Sequence, residues 1–228
     1  MSELDASTLG DPMRRALELA WESICAGSFG IGAVAVDRTG TTVATGRNRI
    51  FESDPGDDVI CNSSLAHAET NVLAKMPFRA HADAGIVLHT SLQPCLQCLG
   101  AVRLSVVERV EVLAPDPLWR GIERIVDHNE WLGENWPTIV ELPVDEWSVF
   151  SLLLPTYTGV AKVGLKEGWA EHLPRTTALA EQLFAGRELD DAIAGGADLD
   201  QVTDLLADRL SQCVAEVEAI ATIAPPGT

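Results

Sequence analysis

The chain has 228 residues, of which 46% are hydrophobic, and a formal net charge of −18 from 34 acidic and 16 basic residues. This excess of acid argues against nucleic-acid binding, which needs clustered lysines and arginines. A membrane-spanning helix needs about 20 consecutive apolar residues, and the sequence has neither such a run nor a signal-peptide pattern. Five cysteines without a disulfide-framework spacing favour a reducing compartment. We therefore expect a cytoplasmic globular protein.

The first third of the chain predicts a helix followed by a β-hairpin. An Asp-Pro pair suits a helix start, and apolar residues then recur at helical spacing, so residues 13–26 are predicted to be helical. Residues 33–37 and 42–48 read as two strands joined by an Arg-Thr-Gly-Thr turn. Residues 51–65 then form a loop whose last residues would cap the next helix.

The middle of the chain alternates strands and helices. Residues 86–90 and 110–113 are predicted strands, and a helix over residues 94–106 lies between them. An irregular segment with three tryptophans covers residues 116–136, and residues 138–142 add a last strand. This alternation predicts an α/β fold in three α/β/α layers, with a central sheet covered by helices.

The remainder of the chain is predicted to be helical. The candidate helices are residues 146–154, ended by a proline, residues 176–193 and residues 198–220. We expect residues 1–145 to form a core domain and the rest to be a helical extension, which packs on the core or at an oligomer interface. Whether the extension also caps a pocket is left open by the sequence.

A histidine and two cysteines carry the clearest chemical signal. One alanine separates His67 from Glu69, and Pro94 directly precedes Cys95, which Cys98 follows three positions on. Imidazole nitrogen and thiolate sulfur suit Zn²⁺, and three protein ligands leave one position open for a water. Zinc makes such a water a nucleophile near neutral pH, and Glu69 could carry its proton. The pattern is typical of zinc-dependent deaminases.

Spacing gives each part of this motif a local expectation. The two cysteines share a helix face, and Pro94 suits the first helical position. His67 and Glu69 must lie at a helix opening or on a bent first turn, since residues two apart do not share a face. A redox dithiol stays open as an alternative for the cysteines. A structural zinc site would need a fourth protein ligand, and neither Cys25 nor Cys61 has a ligand-like spacing.

The chain resembles the cytidine deaminase-like superfamily, and within it the branch of guanine, cytosine and tRNA adenosine deaminases. The matching segments are residues 32–34, 46–49, 54–55, 67–69, 90–101 and 114–116. The resemblance implies one zinc ion per chain, held by His67, Cys95 and Cys98, with Glu69 as the proton carrier. One departure is Gln93, which stands where the family usually has glutamate before the Pro-Cys pair.

The resemblance also suggests substrate contacts. Asn48 matches an asparagine that hydrogen-bonds the substrate base, and the backbone N–H of Ala68 would contact the base as well. Trp119 could stack on a base, with core packing as the equal alternative. Asp116 and His89 are weaker candidates: Asp116 could shape the loop after the strand, and His89 is favoured as an ordinary strand-face residue.

These observations predict a zinc-dependent hydrolytic deaminase that acts on a small amino-bearing nucleobase, nucleoside or related heterocycle and releases ammonia. Within the same class, tRNA adenosine deamination is the runner-up, and the acidic charge speaks against it. From another class, the chain could be a catalytically silent scaffold or binding protein stabilised by zinc. A homodimer is the default expectation from the resemblance.

Overall fold

The structure, a computed structural model, describes residue 4, residues 9–78 and residues 80–222, which build a five-stranded sheet with helices on both faces. The strands are β1 (Gly32–Val36), β2 (Thr42–Arg47), β3 (Ile86–Leu92), β4 (Val107–Ala114) and β5 (Thr138–Glu141). Their order across the sheet is β2-β1-β3-β4-β5. Strand β1 is antiparallel to both neighbours, whereas β3, β4 and β5 are parallel. The predicted α/β sheet is confirmed.

Helices cover both faces of the sheet and make up most of the chain after β5. They are α1 (Asp11–Cys25), α2 (Ala68–Ala74), α3 (Leu96–Arg103), α4 (Glu130–Gly133), α5 (Glu146–Thr158), α6 (Trp169–His172), α7 (Pro174–Gly186), α8 (Glu188–Ala194), α9 (Leu199–Leu210) and α10 (Val214–Ala221). Within the described residues, no helix is both long and apolar enough to cross a bilayer.

The buried apolar side chains form two clusters, one on each face of the sheet. On one face, Leu17 of α1 and Leu153 of α5 share a cluster with Val34 of β1 and Leu206 of α9. On the other face, Val72 of α2 belongs to a cluster with side chains of α3 and of the central strands. The result is a three-layer arrangement in which the helices after residue 145 join the same core as α1.

Helix α5 is the element that ties the later helices to the sheet. Its side chains are buried almost all round, which is typical of a helix inside a protein core. The Ser148 hydroxyl donates to the Leu113 carbonyl of β4 at 3.0 Å, and the Ser151 hydroxyl donates to the Ser91 carbonyl of β3. These bonds fix the rotation of α5 on the sheet, because each polar group faces one particular strand.

Helix α2 lies unusually close to strand β2, because a glycine faces it. A Cβ atom on Gly46 would lie 2.6 Å from the Ala68 carbonyl oxygen and 2.7 Å from the Val72 nitrogen. Such distances are far inside van der Waals contact, so any side chain here would push α2 away. The close approach sets the position of the first turn of α2, which carries part of the candidate site.

The predicted end of the helix at Pro155 is wrong. Helix α5 continues through this proline to Thr158 and then into a π-helical turn, Gly159–Val163. A proline inside a helix costs about 3 kcal/mol, but here almost every side chain of the helix is buried. The Thr156 hydroxyl, next to the proline, donates to the Leu152 carbonyl at 2.7 Å.

Other predicted boundaries also shift. The predicted helix over 176–193 is two helices, α7 and α8, because Arg187 adopts a left-handed conformation with φ of 57°. The predicted helix over 198–220 is α9 and α10 with a 3₁₀ turn between them. The predicted irregular segment contains the 3₁₀ helix Ile122–His128 and α4, and α6 was not predicted.

Candidate active site and metal centre

The chemistry-bearing residues meet at one edge of the sheet. Asn48 follows β2, Cys95 follows β3 and Asp116 follows β4. Gly32, the first residue of the antiparallel strand β1, pairs with Arg47 at the end of β2 and therefore lies at the same edge. Ligand sites of α/β proteins commonly form outside the carboxyl ends of strands, and these strands place the motif there.

Two helix N-termini converge on this edge. His67 is the N-cap of α2, with φ of −78° and ψ of 157°, and Cys95 is the N-cap of α3, with φ of −71° and ψ of 172°. Glu69 and Cys98 lie in the first turns of the same helices. Pro94 therefore lies outside α3, not at its first position as predicted. The positive ends of both helix dipoles favour thiolates here.

The three sulfur and nitrogen donors have the separations that zinc requires. The Sγ atoms of Cys95 and Cys98 are 3.6 Å apart, and the Nδ1 atom of His67 lies 3.6 Å from the first and 3.4 Å from the second. Tetrahedral bonds of zinc to sulfur and nitrogen imply donor separations of about 3.8 Å and about 3.6 Å. The donor set therefore fits a tetrahedral zinc ion with three protein ligands.

The ionisable groups of this site shift one another's pKa values. The hydrogen bond between the two cysteine sulfurs lowers the pKa of Cys95, while the same bond and burial raise the pKa of Cys98. Burial lowers the pKa of His67, but the hydrogen bond with Cys95 and the negative charges of Glu69 and Cys95 together outweigh burial and raise that pKa. Burial raises the pKa of Glu69, whose Oε2 atom lies 3.4 Å from the Cys98 sulfur. A buried carboxyl with a raised pKa is suited to accept and return a proton.

A cavity of about 480 Å³ opens above these donors. His67, Glu69 and Cys95 line it, as do Asn48 and Trp119 among the predicted substrate contacts. The remaining predicted contact, Ala68, is the first residue of α2 and is buried, and its side chain packs in the apolar cluster beneath the helix. The cavity is in the range of small-molecule sites.

Gln93 organises one wall of the cavity. Its side-chain amide donates to the Trp119 carbonyl at 3.0 Å, and its Oε1 atom accepts from the Asp116 N–H at 3.1 Å. An ionised glutamate at this position could accept the second bond but could not donate the first. The departure from the family's usual residue therefore has a structural role, which is to hold the loop after β4 against the cavity.

Asp116 is the second acid of the cavity. Its side chain is buried, Oδ1 accepts from the Leu118 N–H at 2.8 Å, and burial raises its pKa to about 6. His89 is different, because its Nδ1 atom lies 3.1 Å from the Glu111 carboxylate and it is not among the cavity-lining residues. The interpretation of His89 as a strand-face residue agrees with this contact.

The outer wall of the cavity comes from a segment that the sequence did not single out. The lining residues of this wall include Pro155, Val163, Leu165, Lys166 and Trp169, which lie at the end of α5, in the turn after it and at the start of α6. The signal that could have found them is compositional: two of the chain's three lysines lie in a short glycine-flanked stretch between predicted helices.

A network of ion pairs holds the loop between β2 and α2. Asp58 accepts from Arg49 at 2.6 Å and pairs with Lys75 at 2.7 Å, while Glu52 pairs with both Arg47 and Arg49. Both carboxylates are largely buried. The network closes the loop on itself and fixes the chain on either side of the site.

Residues 7–114 match the model of the cytidine and deoxycytidylate deaminase zinc-binding region. The chain is 32% identical over 92 residues to guanine deaminase of Bacillus subtilis, which is 40% of this chain and 54% of that protein. It is 33% identical over 107 residues to the tRNA-specific adenosine deaminase of Haemophilus influenzae, which is 46% of this chain and 57% of that protein.

The chain thus spans somewhat more than half the length of these relatives. A solved structure of guanine deaminase from Nitrosomonas europaea is 24% identical, with a TM-score of 0.44 over 57% of this chain and 74% of that one. The predicted family is confirmed by the match of the zinc-binding region. Residues 7–114, just under half of this chain, are thus similar to the cytidine and deoxycytidylate deaminase zinc-binding region.

Proposed function

We propose that the chain is a zinc-dependent hydrolytic deaminase that removes ammonia from an amino-bearing nucleobase, nucleoside or related heterocycle. The observation that carries this proposal is the arrangement of His67, Cys95 and Cys98 with separations of 3.4–3.6 Å, beside the fully buried carboxyl of Glu69. The family of residues 7–114 and the printed activities of the two relatives support the same reaction class.

His67, Cys95 and Cys98 would hold the metal. When bound, zinc supplies a Lewis acid that activates water near neutral pH. Glu69 would take one proton of the attacking water at its carboxylate and give it to the substrate's ring nitrogen, and would then carry the second proton of that water to the departing amine, which leaves as ammonia. A carboxyl that both accepts and returns a proton works best when its pKa lies near the working pH. Burial raises the pKa of Glu69 in that direction.

The cavity walls would orient a flat ring. Asn48 is almost fully buried, its Oδ1 atom accepts from the Ile50 N–H at 3.1 Å, and its amide nitrogen can donate to a base. The aromatic rings of Phe29, Trp119 and Trp169 line the same cavity. Aromatic faces stack on any base, which gives affinity without selecting one ring. The apolar lining also excludes water from the reacting end.

The test is ammonia release from a panel of bases, nucleosides, nucleotides and amino-triazines, measured with zinc-loaded protein and with protein treated with a chelator. We expect release from at least one substrate, its loss with chelator and its return with added zinc. Bound zinc without release from any substrate would contradict the proposal and would favour a zinc-stabilised scaffold.

A small-molecule substrate is favoured over tRNA. Three arginines of the middle of the chain are engaged within the protein: Arg109 pairs with Glu111, Arg120 pairs with Glu141, and the Arg103 guanidinium donates to a backbone carbonyl at 2.6 Å. Phosphate contacts would need these cations to be released. A gel-shift measurement with tRNA at low salt should show no complex.

The helical extension over 146–228 is proposed to complete the active site of a core formed by 1–145. The support is the lining of the cavity by Pro155, Lys166 and Trp169. A single unfolding transition for the whole chain is expected, because α5 and α9 share the core of α1.

We further propose a cytoplasmic homodimer. Leu96 and Leu104 are exposed on the α3 side of the sheet, where a second copy could cover them. The five cysteines have no disulfide-framework spacing, which favours a reducing compartment. Sedimentation equilibrium should give twice the chain mass, and Leu104→Glu should give the monomer.

A further inference from the structure

Lys166 is the cation of the candidate cavity. It lines the same space as Glu69 and Asp116, on the segment between the π-helical turn and α6. Its side chain is exposed, whereas Glu69 is 3% exposed and Asp116 is 4% exposed. The ammonium therefore lies at the mouth of the cavity, and the candidate reacting groups lie at its closed end.

This ammonium has no partner among residues 4, 9–78 and 80–222, where every other lysine and arginine has a hydrogen bond or an ion pair. The other two lysines are typical: Lys75 pairs with Asp58 at 2.7 Å, and Lys162 donates to the Gly27 carbonyl. In a chain of net charge −18, acidic side chains are abundant. A lysine that faces a cavity and contacts none of them is available to a ligand.

The charge of Lys166 acts on the interior of the cavity. Burial raises the pKa of Asp116 to about 6, and the positive charge of Lys166 opposes this rise without reaching ion-pair distance. Because the mouth is open to water, an anion bound there would keep part of its hydration while a ring attached to it entered the apolar interior. This arrangement lowers the desolvation cost of binding a charged group.

We propose that Lys166 selects substrates that carry an anionic substituent, a carboxylate or a phosphate, on the amino-bearing ring. The inference deepens the proposed deaminase function and rests on it for the position of the ring. The ring amine would lie against His67 and Glu69, and the anion would lie at the mouth with the Lys166 ammonium. The extension thereby determines specificity, although it lies far from the zinc motif in the sequence.

The experiment compares pairs of compounds that differ by one anionic group. Cytidine and guanosine are compared with their 5′-monophosphates, and pterin is compared with pterin-6-carboxylate. For each pair, kcat/KM is measured with zinc-loaded enzyme, and binding is measured by calorimetry with zinc-loaded Glu69→Gln protein, which separates recognition from turnover. The nucleotide pairs report a phosphate site and the pterin pair reports a carboxylate site.

We expect the wild-type chain to prefer the anionic member of at least one pair by about tenfold or more, the factor that a charged hydrogen bond supplies. Lys166→Met should bring this ratio close to one, and Lys166→Arg should restore most of it. Lys162→Met is the matched control. It removes the same charge from the π-helical turn just before Lys166, but Lys162 donates to the Gly27 carbonyl and is not among the cavity-lining residues. Its ratio should equal that of the wild type.

The two proposals fail in distinguishable ways. Ammonia release with no anionic preference, or with a preference that survives in Lys166→Met, overturns the role of Lys166 and leaves the deaminase function standing. Anion-selective binding that Lys166→Met abolishes, without ammonia release from any compound, supports the role of Lys166 and overturns the deaminase function. The absence of both binding preference and release overturns both.

Discussion

Replacement of Asp58 by asparagine tests whether the ion-pair network of the loop before α2 stabilises the site. The Asp58 carboxylate is 3% exposed and lies 2.6 Å from Arg49 and 2.7 Å from Lys75. Asparagine keeps the shape of the side chain and removes its charge. Two cations are then left at a buried position with one fewer acid.

The expected loss of stability follows from the burial of the Asp58 carboxylate and its partners. Removing one member of a buried ion pair costs about 3–5 kcal/mol, and Arg49 keeps a second partner in Glu52 at 2.8 Å. We therefore expect the lower end of the range, about 3 kcal/mol. For a chain of this length, 1 kcal/mol corresponds to about 2–4 °C in Tm, so Tm should fall by about 6–12 °C.

The assay is thermal unfolding of zinc-loaded protein, followed by circular dichroism. Asp200→Asn is the matched control, because Asp200 pairs with Arg14 at 2.9 Å but is 56% exposed. An exposed pair contributes at most about 1 kcal/mol, so this variant should lose no more than about 4 °C. Equal shifts in the two variants would refute the reasoning that burial makes the Asp58 network stabilising.

Three further predictions concern the core, the metal and the second acid of the cavity. Leu153→Ala should lower the free energy of unfolding by about 2–5 kcal/mol, because Leu153 is fully buried in the core shared with α1. Urea denaturation should show one transition, and two separate transitions would contradict a shared core. Removal of zinc should destabilise the protein by about 4 kcal/mol if free zinc was about a thousandfold above its Kd. In a thermal-shift measurement, Cys98→Ala should abolish the dependence of Tm on zinc, and an unchanged dependence would exclude Cys98 as a ligand. Asp116 has a pKa raised to about 6 in the folded state from 3.8, so the folded state holds its proton longer and stability falls as pH rises through this window. With chelator present, the stability of Asp116→Asn relative to wild type should therefore rise by up to about 3 kcal/mol between about pH 4 and pH 7, and a constant difference in urea denaturation would contradict the raised pKa.

The parts of the fold that the sequence predicts are those whose signals are local. The predicted bounds of the five strands agree with the observed ones within a few residues, because short apolar runs bounded by turn residues are typical of strands. The zinc motif is local as well: each helix start carries its own donors, and the spacing of His67 and Glu69 already required a helix opening.

The parts that the sequence does not predict depend on contacts between distant segments. Pro155 ends a helix by local rules, but burial of α5 on all sides overrides them. Lys166 and Trp169 line the cavity because α5 packs on the sheet and ends at the edge where the zinc motif lies. No spacing rule relates a lysine to a zinc motif about seventy residues earlier, so the determinant of specificity was not visible from the sequence.

The measurement that tests the deaminase function most directly compares the wild-type chain with Glu69→Gln on the best substrate of the panel. Both proteins are first shown to hold one zinc ion per chain, which separates loss of the proton carrier from loss of the metal. We expect ammonia release to fall by about 100- to 10,000-fold in the variant, the usual contribution of general acid–base catalysis, with zinc content unchanged. Equal release by the two proteins would contradict the role of Glu69, and with it the mechanism proposed for this site.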